Sequence, residues 1–297
     1  MATDPERFTP EADKLVDRVL DLCPFPATAQ RLMALANDDS APMEAIAAAV
    51  ASDPALATQV LHVANSSAFR LPGREAVRDL RLALVAIGLE PLKTMASAMA
   101  LLATFATRDE LALDLHGMSA ISGSITSAIV PAGQGAARGM PFICGLLCEV
   151  GALACLVVDG PGYVALWRRT AGSTAPWSPD LVSLRDDLET KRYGATSRTI
   201  GARLLRRQLV PADIATAIEA PTRNFRGAPL LHRATAFAYV VTPVLVAHAG
   251  APTPALTQTV GDVAALTSFV ELDAAELTKR CLAACANAER ALRATRG

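Results

Sequence analysis

The chain carries one acidic side chain inside a stretch that is otherwise apolar. Glu149 lies within residues 143–158, which contain no other charged residue. A buried carboxylate needs a charged or hydrogen-bonding partner, because removal from water penalises its ionised form. We therefore expect Glu149 to pair with an arginine or a helix N-terminus. The alternative is that it contacts a ligand in a pocket.

Five of the six cysteines fall at helical spacings. Cys144, Cys148 and Cys155 follow i, i+4, i+11, which places them on one face of a continuous helix, and Cys281 and Cys285 repeat the i, i+4 interval. If the two helices met, their thiolates would give a four-ligand metal site. We favour the alternative, in which these cysteines act as small buried apolar side chains.

Arginines are concentrated between residues 192 and 207. Arg203 and Arg207 are one helical turn apart, so they predict a basic stripe. Guanidinium groups bind oxyanions through paired hydrogen bonds, so the stripe suits an acidic partner or a phosphate-bearing second messenger. A solvated helix face is the alternative. The candidate surface consists of Arg198, Arg203, Arg206 and Arg207.

The elements that must position these residues are helices, because the apolar period is helical and strand patterns are scarce. The fold class is therefore predicted to be all-α. Five or six short helices are expected in the first hundred residues, with Asp53-Pro54 as a helix start, Asn65 binding carbonyls freed at a helix end and Gly88 as a left-handed cap. Further helices are expected at about 114–130, 140–158, 179–191, 196–208, 211–219, 229–248 and 273–295.

Composition narrows the classes of partner. The 297 residues are 52% hydrophobic and 19% charged, which is too apolar for a disordered chain. A net charge of −1 with 4% aromatic residues gives no support for a nucleic-acid partner.

The apolar stretches 143–158 and 234–249 are shorter than the roughly 20 residues that span a bilayer, so we predict no membrane insertion. The polar residues 1–10 lack the pattern of a signal peptide, and we expect a cytoplasmic protein without disulfides.

Several short motifs follow one another in the first half of the chain: Pro24-Phe25-Pro26, Asp53-Pro54-Ala55-Leu56, Leu61-His62-Val63-Ala64-Asn65-Ser66, Ala83-Leu84 and Ile87-Gly88. From about residue 12 to residue 225 the chain resembles the HDOD family, bacterial signalling modules distantly related to HD-type metal-dependent phosphohydrolases. The resemblance implies an N-terminal helical bundle at 12–105, packed on a degenerate HD-like bundle at 106–225. Residues 1–11 would form a tail and residues 226–297 a C-terminal helical extension.

The resemblance also locates a candidate site. HD-type hydrolases hold one or two metal ions with His and Asp side chains, and Cys148 and Glu149 stand here where the name-giving pair would stand. Ser197 replaces a further histidine, and a later histidine pair falls near residues 221–222. A hydrolytic divalent site needs several deprotonated nitrogen or oxygen donors, and this set has too few. The vestigial positions are His116, Cys148, Glu149, Ser197, Pro221 and Thr222.

The expected function is that of a non-enzymatic regulatory protein that binds other bacterial signalling proteins. No Walker loop, Gly-x-Gly-x-x-Gly motif or nucleophile elbow occurs, and the lone His62 and His116 are weak indications of catalysis. We predict no catalytic residue, no metal and no cofactor. Two alternatives stay open. One is a residual metal-dependent phosphohydrolase that uses His116, Cys148 and Glu149, and the other is a sensor that binds a cyclic nucleotide in the vestigial pocket.

Overall fold

A computed structural model shows an all-α protein, which confirms the predicted fold class. The part of the chain that the structure describes contains fifteen helices and no strand. That part comprises residues 10–23, 27–36, 38, 40–52, 57, 60–61, 64–65, 77, 79–105, 109–130, 139–170, 178–208, 210–220, 222, 227–247, 253–269 and 271–296.

The N-terminal region forms a small bundle. Helix α2 packs along α5, and α3 contacts both of them. The Asp79 side chain accepts a hydrogen bond from the Leu82 backbone N–H at 2.9 Å, which caps the first turn of α4. The helices are α1 (Pro10–Leu22), α2 (Ala27–Ala36), α3 (Met43–Ala51), α4 (Leu80–Ile87) and α5 (Leu89–Thr104).

In the described residues between 109 and 220 there are seven helices, several of which begin at a side-chain cap. Asp109 and Ser178 accept hydrogen bonds from backbone N–H groups of the helices that follow them, and Thr196 caps the next helix. The helices are α6 (Glu110–Ile129), α7 (Met140–Leu146), α8 (Val150–Val158), α9 (Gly160–Arg169), α10 (Pro179–Tyr193), α11 (Ser197–Arg207) and α12 (Ala212–Glu219).

The C-terminal region packs back onto the middle helices. Helices α13 (Leu230–Ala247) and α15 (Ala274–Arg296) both lie against α6, and α14 (Thr253–Leu266) packs on α15. Their buried residues join α6 in one apolar cluster. A second, larger apolar cluster runs from α1 through the N-terminal bundle to α12 and the start of α13. The N-terminal bundle and the middle helices therefore share a continuous core.

Two glycines allow the middle helices to approach each other closely. A Cβ atom on Gly151 of α8 would overlap the carbonyl oxygen of Ser197 at the start of α11. A Cβ atom on Gly145 of α7 would overlap the carbonyl oxygen of Ser122 on α6. Because no larger side chain fits without moving backbone, these two contacts fix the spacing of the helices that carry the site described below.

The structure corrects parts of the predicted helix map. The expected helix 140–158 is two helices, because residues 147–149 form a turn between α7 and α8. The cysteines at 144, 148 and 155 therefore do not share one continuous helix. Helices α9 and α14 were not predicted at all.

The N-terminal motifs are described only in part. Asn65 donates to the Leu61 carbonyl and to the Val77 carbonyl, both at 2.8 Å, and accepts from the Val77 N–H at 2.7 Å, which confirms its expected role at a helix end. Gly88 ends α4 with φ 87° and ψ 164°, so its φ is positive but it is not the left-handed cap that we predicted. The motifs at 24–26 and 53–56, and His62, lie outside the described residues.

Among the described residues, apart from the bent pair of α4 and α5, which would pass only as one span, two apolar segments are long enough, by length and composition, to cross a membrane. They are Met140–Val158 and Leu230–Ala247. The residues of both are mostly buried inside the helical assembly, and the first is interrupted by the turn at 147–149. Helix packing in the core accounts for their apolar character.

Candidate functional site

The lone acidic residue of the apolar stretch lies at the turn between α7 and α8. Glu149 is fully buried, and its Oε2 atom lies 3.3 Å from Nη2 of Arg185. The expectation that this carboxylate pairs with an arginine is therefore confirmed. Its other oxygen, Oε1, is buried and has no hydrogen-bond partner among the described residues.

The partner of Glu149 is a buried arginine on α10. The Nε atom of Arg185 lies 3.0 Å from Oε1 of Glu189, one helical turn away. Its Nη2 atom also donates to the hydroxyl of Tyr163 at 3.2 Å and to Oγ of Ser197 at 3.4 Å. One guanidinium group thus joins two buried carboxylates and two hydroxyl groups from four different elements.

Aromatic rings provide further contacts to this guanidinium. The Arg185 Cζ atom lies 4.7 Å from the centre of the Trp167 ring and 4.8 Å from the centre of the Tyr239 ring. Both distances are within the range of a cation–π interaction, which gains strength where water is excluded. Tyr239 belongs to α13, so the C-terminal region contributes to the cluster.

The second carboxylate joins α10 to α11. Glu189 is fully buried, and its Oε2 atom accepts a hydrogen bond from the backbone N–H of Ser197 at 2.6 Å. Its Oε1 atom accepts from the Tyr163 hydroxyl at 3.0 Å. Ser197 is the first residue of α11, where a negative charge is favoured by the helix dipole. We call Glu149, Tyr163, Arg185, Glu189, Ser197 and Tyr239 the Arg185 cluster.

Burial and charge act in opposite directions on the titrating groups of the cluster. Burial raises the pKa of Glu149 above its ordinary value, although Arg185 opposes the change. Burial disfavours the charge of Arg185, but the surrounding tyrosines and glutamates outweigh it and hold its pKa above the ordinary value. Burial is the main cause that raises the pKa of the Cys148 thiol above its ordinary value, and the Glu149 carboxylate is the second. The thiol therefore stays protonated beside the site.

Of the vestigial positions that the structure describes, three lie at the site: Cys148 and Glu149 in the turn at 147–149, and Ser197 at the start of α11. Glu149 and Ser197 contact the same Arg185 nitrogen. Thr222 is buried, but no contact places it in the cluster, and Pro221 lies outside the described residues. His116 is on α6, where a ring nitrogen lies 3.3 Å from the Phe105 carbonyl oxygen. His116 is thus not among the described residues that contact Arg185.

The donor set around Glu149 does not fit a divalent cation. Oε2 of Glu149 is already paired with a guanidinium group, whose positive charge would repel a metal ion at that position. The adjacent thiol, hydroxyl groups and phenols are weak ligands for a hydrolytic ion. The second carboxylate, Glu189, already accepts hydrogen bonds at both oxygens, from Arg185, Tyr163 and the Ser197 N–H. Across the described part of the chain, no three His, Cys, Asp or Glu side chains are grouped so that they could hold a metal.

The cysteines are apolar neighbours in the core. Cys144, Cys148, Cys155 and Cys281 are buried, and Cys285 is partly buried. Burial raises the pKa of the Cys144 and Cys285 thiols to about 12. These thiols are protonated at neutral pH, as expected for cysteines that serve as small apolar side chains.

The predicted arginine surface is not a free basic stripe. Arg198 and Arg203 are buried, so they do not lie on an open surface, and this corrects our expectation. Arg198 pairs with Asp186 at 2.9 Å and donates to the Ala220 carbonyl. The remaining pairs are Arg203 with Asp13, Arg206 with Glu219 and Arg207 with Asp17.

Arg185, the residue at the centre of the site, was not predicted from the sequence. Arg185 and Glu189 are an i, i+4 pair, but this spacing is also common on solvated helices and does not indicate burial. Tyr163 and Trp167 lie on α9, which was not predicted. The feature of the sequence that indicated such a residue was the apolar stretch around Glu149. A buried carboxylate there needs a partner from elsewhere in the chain.

Three comparisons with known proteins place this fold. The sequence model of the HDOD domain matches residues 22–223, and a search of curated proteins finds no match. A candidate phosphohydrolase from Shewanella amazonensis SB2B is 20% identical with a TM-score of 0.65, and 94% of this chain and 97% of that one are covered.

Two further solved structures share the fold. An HDOD domain protein of unknown function from Geobacter sulfurreducens is 17% identical, with a TM-score of 0.61 and 95% and 97% of the two chains covered. A candidate signal transduction protein from Marinobacter aquaeolei VT8 is 23% identical, with a TM-score of 0.56, covering 94% of this chain and 64% of that one. At these identities the likeness shows the fold alone. Because the domain match covers more than half of the sequence, the chain belongs to the HDOD family.

Proposed function

We propose that this chain is a non-catalytic regulatory protein of a bacterial signalling system, and that it acts in the cytoplasm by binding another protein. The observation that carries the proposal is the Arg185 guanidinium, which pairs with Glu149 at 3.3 Å. By the family resemblance, Glu149 stands where HD-type hydrolases bind their metal ions. In this chain the carboxylate is paired through Oε2 with a cation that belongs to the protein itself.

Replacement of this internal cation by a metal ion would be costly. Arg185 would have to leave two fully buried carboxylates and two aromatic rings. Breaking a buried ion pair by removing one partner typically costs about 3–5 kcal/mol. Without a metal-activated water, attack on a phosphoester would need another nucleophile, and burial keeps the neighbouring Cys148 thiol protonated. A binding role is the function that then agrees with the HDOD family.

The two alternatives have less support. The phosphohydrolase alternative needs His116 near Glu149, but His116 contacts the end of α5. The cyclic-nucleotide alternative needs arginines that are available to a phosphate group. Arg198 and Arg203 are instead buried and paired with Asp186 and Asp13.

A hydrolysis assay tests the proposal. The purified full chain is incubated separately with p-nitrophenyl phosphate, bis(p-nitrophenyl) phosphate and cyclic dinucleotides, in the presence of Mn²⁺, Fe²⁺, Mg²⁺ or Zn²⁺. We expect no turnover above that of a buffer blank. Metal-dependent turnover that is lost in Glu149→Gln and retained in Glu110→Gln, an exposed control on α6, would contradict the proposal.

A further inference from the structure

The first helix covers a face of the middle helices. The apolar side of α1 is buried through Ala12, Leu15, Val16 and Val19. Although α2 follows α1 in the sequence after four residues, α1 packs against α8, α10 and α11. Among the described residues, the helix therefore packs mainly on a surface formed by residues more than one hundred positions away.

Two ion pairs fix the register of this contact. Nη1 of Arg203 lies 3.3 Å from Oδ1 of Asp13, and Nη1 of Arg207 lies 2.9 Å from Oδ1 of Asp17. Both pairs join residues 190 positions apart. The carboxylates and the guanidinium groups are each spaced by one helical turn, so α1 and α11 run in the same direction.

The two pairs differ in how much they depend on α1. The Arg203 side chain is 7% exposed and its partner Asp13 is 42% exposed, so departure of α1 would uncover a buried guanidinium. Arg207 and Asp17 are 51% and 56% exposed, and such a pair is easily exchanged for another. The face beneath α1 thus combines an apolar surface with two guanidinium groups one turn apart.

Helix α1 is also a weak element on its own. It has 13 residues, and isolated helices of that length are marginal in water. The HDOD domain match begins at residue 22, the last residue of α1, so nearly all of the covering helix lies outside the matched region. The persistence of α1 as a helix must therefore come from its contact with α8 and α11.

We propose that the face formed by α8 and α11 is a docking site for an amphipathic helix of a partner protein, and that α1 is its intramolecular competitor. The partner helix carries two carboxylates one turn apart beside an apolar stripe, as Asp13 and Asp17 do on α1. It displaces α1 and pairs with Arg203 and Arg207. This inference rests on the proposed binding function and names the surface and the chemistry of the partner.

A peptide experiment tests this proposal on the full chain. Val16 lies on the buried side of α1, so Val16→Asp should displace the helix from the face it covers. Arg18→Asp introduces the same residue on the exposed side of α1 as a control. The probe is a fluorescent peptide of residues 10–22, and its binding is measured by anisotropy. We expect affinity on the order of tenfold higher for Val16→Asp than for wild type or Arg18→Asp, because less α1 competes for the face.

The charge pattern is tested with a second peptide in which Asp13 and Asp17 are replaced by lysine. This peptide should bind the Val16→Asp chain about tenfold more weakly than the native peptide does. Equal affinity of the two peptides, or no binding to a folded Val16→Asp chain, would overturn the proposal. Circular dichroism establishes whether that chain is folded.

Hydrogen exchange on the wild-type chain gives a test that does not depend on any variant. If α1 opens as a unit, its amides should exchange roughly tenfold faster than those of α8 and α11. Equal exchange in all three helices would show that α1 is not displaceable and would refute the proposal. If the peptide tests fail while the hydrolysis assay stays blank, only the docking face is wrong. Metal-dependent hydrolysis would remove the proposed function itself, whatever the peptide does.

Discussion

Replacement of Arg185 by methionine tests the energetic role of the internal cation. Methionine keeps much of the apolar volume between Trp167 and Tyr239 but removes the charge that faces Glu149 and Glu189. Both carboxylates are fully buried, so neither can recover its hydration. We expect the free energy of unfolding to fall by about 3–5 kcal/mol near pH 8, the usual cost of leaving a buried charge without its partner.

The same variant should respond to pH in a defined direction. Without Arg185, burial and repulsion from Glu189 are less opposed at Glu149 and raise its pKa further, so the folded state holds more protons than the unfolded state. Stability is then lost as the pH rises above the ordinary glutamate pKa and is recovered as the pH falls. The cost of Arg185→Met should therefore be smaller near pH 5, where Glu149 is more readily protonated, than near pH 8.

Urea unfolding followed by circular dichroism measures both quantities. Arg168→Met, on the exposed side of α9, is the matched control and should change stability by no more than about 0.5 kcal/mol. A loss below about 1 kcal/mol for Arg185→Met near pH 8, or a cost that does not change with pH, would refute this account of the cluster.

Three further substitutions, one of them with a glycine control, probe separate contacts by urea unfolding. Gly151→Ala should cost about 3 kcal/mol, because its methyl group would overlap the Ser197 carbonyl. Gly117→Ala on α6 is the control, because the space around its Cβ position is open, and it should stabilise the fold by up to about 1 kcal/mol. Equal stability changes for the two glycine substitutions would contradict the close approach of α8 and α11. Burial raises the pKa of Glu149, so the free energy of unfolding of the wild type should decrease from about pH 5 to pH 8, and Glu149→Gln should reduce this decrease. The same pH dependence in wild type and variant would be inconsistent with this. Asn65→Ala removes three hydrogen bonds to backbone groups and should cost about 2–3 kcal/mol, and a change within about 0.5 kcal/mol would show that they are replaced by water.

The helical class and the need to neutralise Glu149 were predictable from the sequence. A helical apolar period is a local property, and a single carboxylate in an apolar stretch must be compensated wherever the stretch packs. The identity of the compensating cation was not predictable. Arg185 lies in a polar helix with acidic neighbours, and only tertiary packing distinguishes its buried side from a solvated one.

The arginine stripe shows the same limit. Arg203 and Arg207 have the spacing of a basic surface, but their carboxylate partners are 190 residues away in the sequence. The turn at 147–149 was also hidden, since no proline interrupts the apolar period there. These features depend on contacts between distant elements, which a local pattern does not encode.

The metal content of the purified protein tests the central claim, that Arg185 supplies the cation at this site. The full chain is purified without chelators, analysed for iron, manganese and zinc, and then titrated with Mn²⁺ by calorimetry. We predict no stoichiometric metal and no saturable Mn²⁺ binding, because Glu149 is already paired with Arg185. One equivalent of tightly bound metal that disappears in Glu149→Gln would contradict the claim.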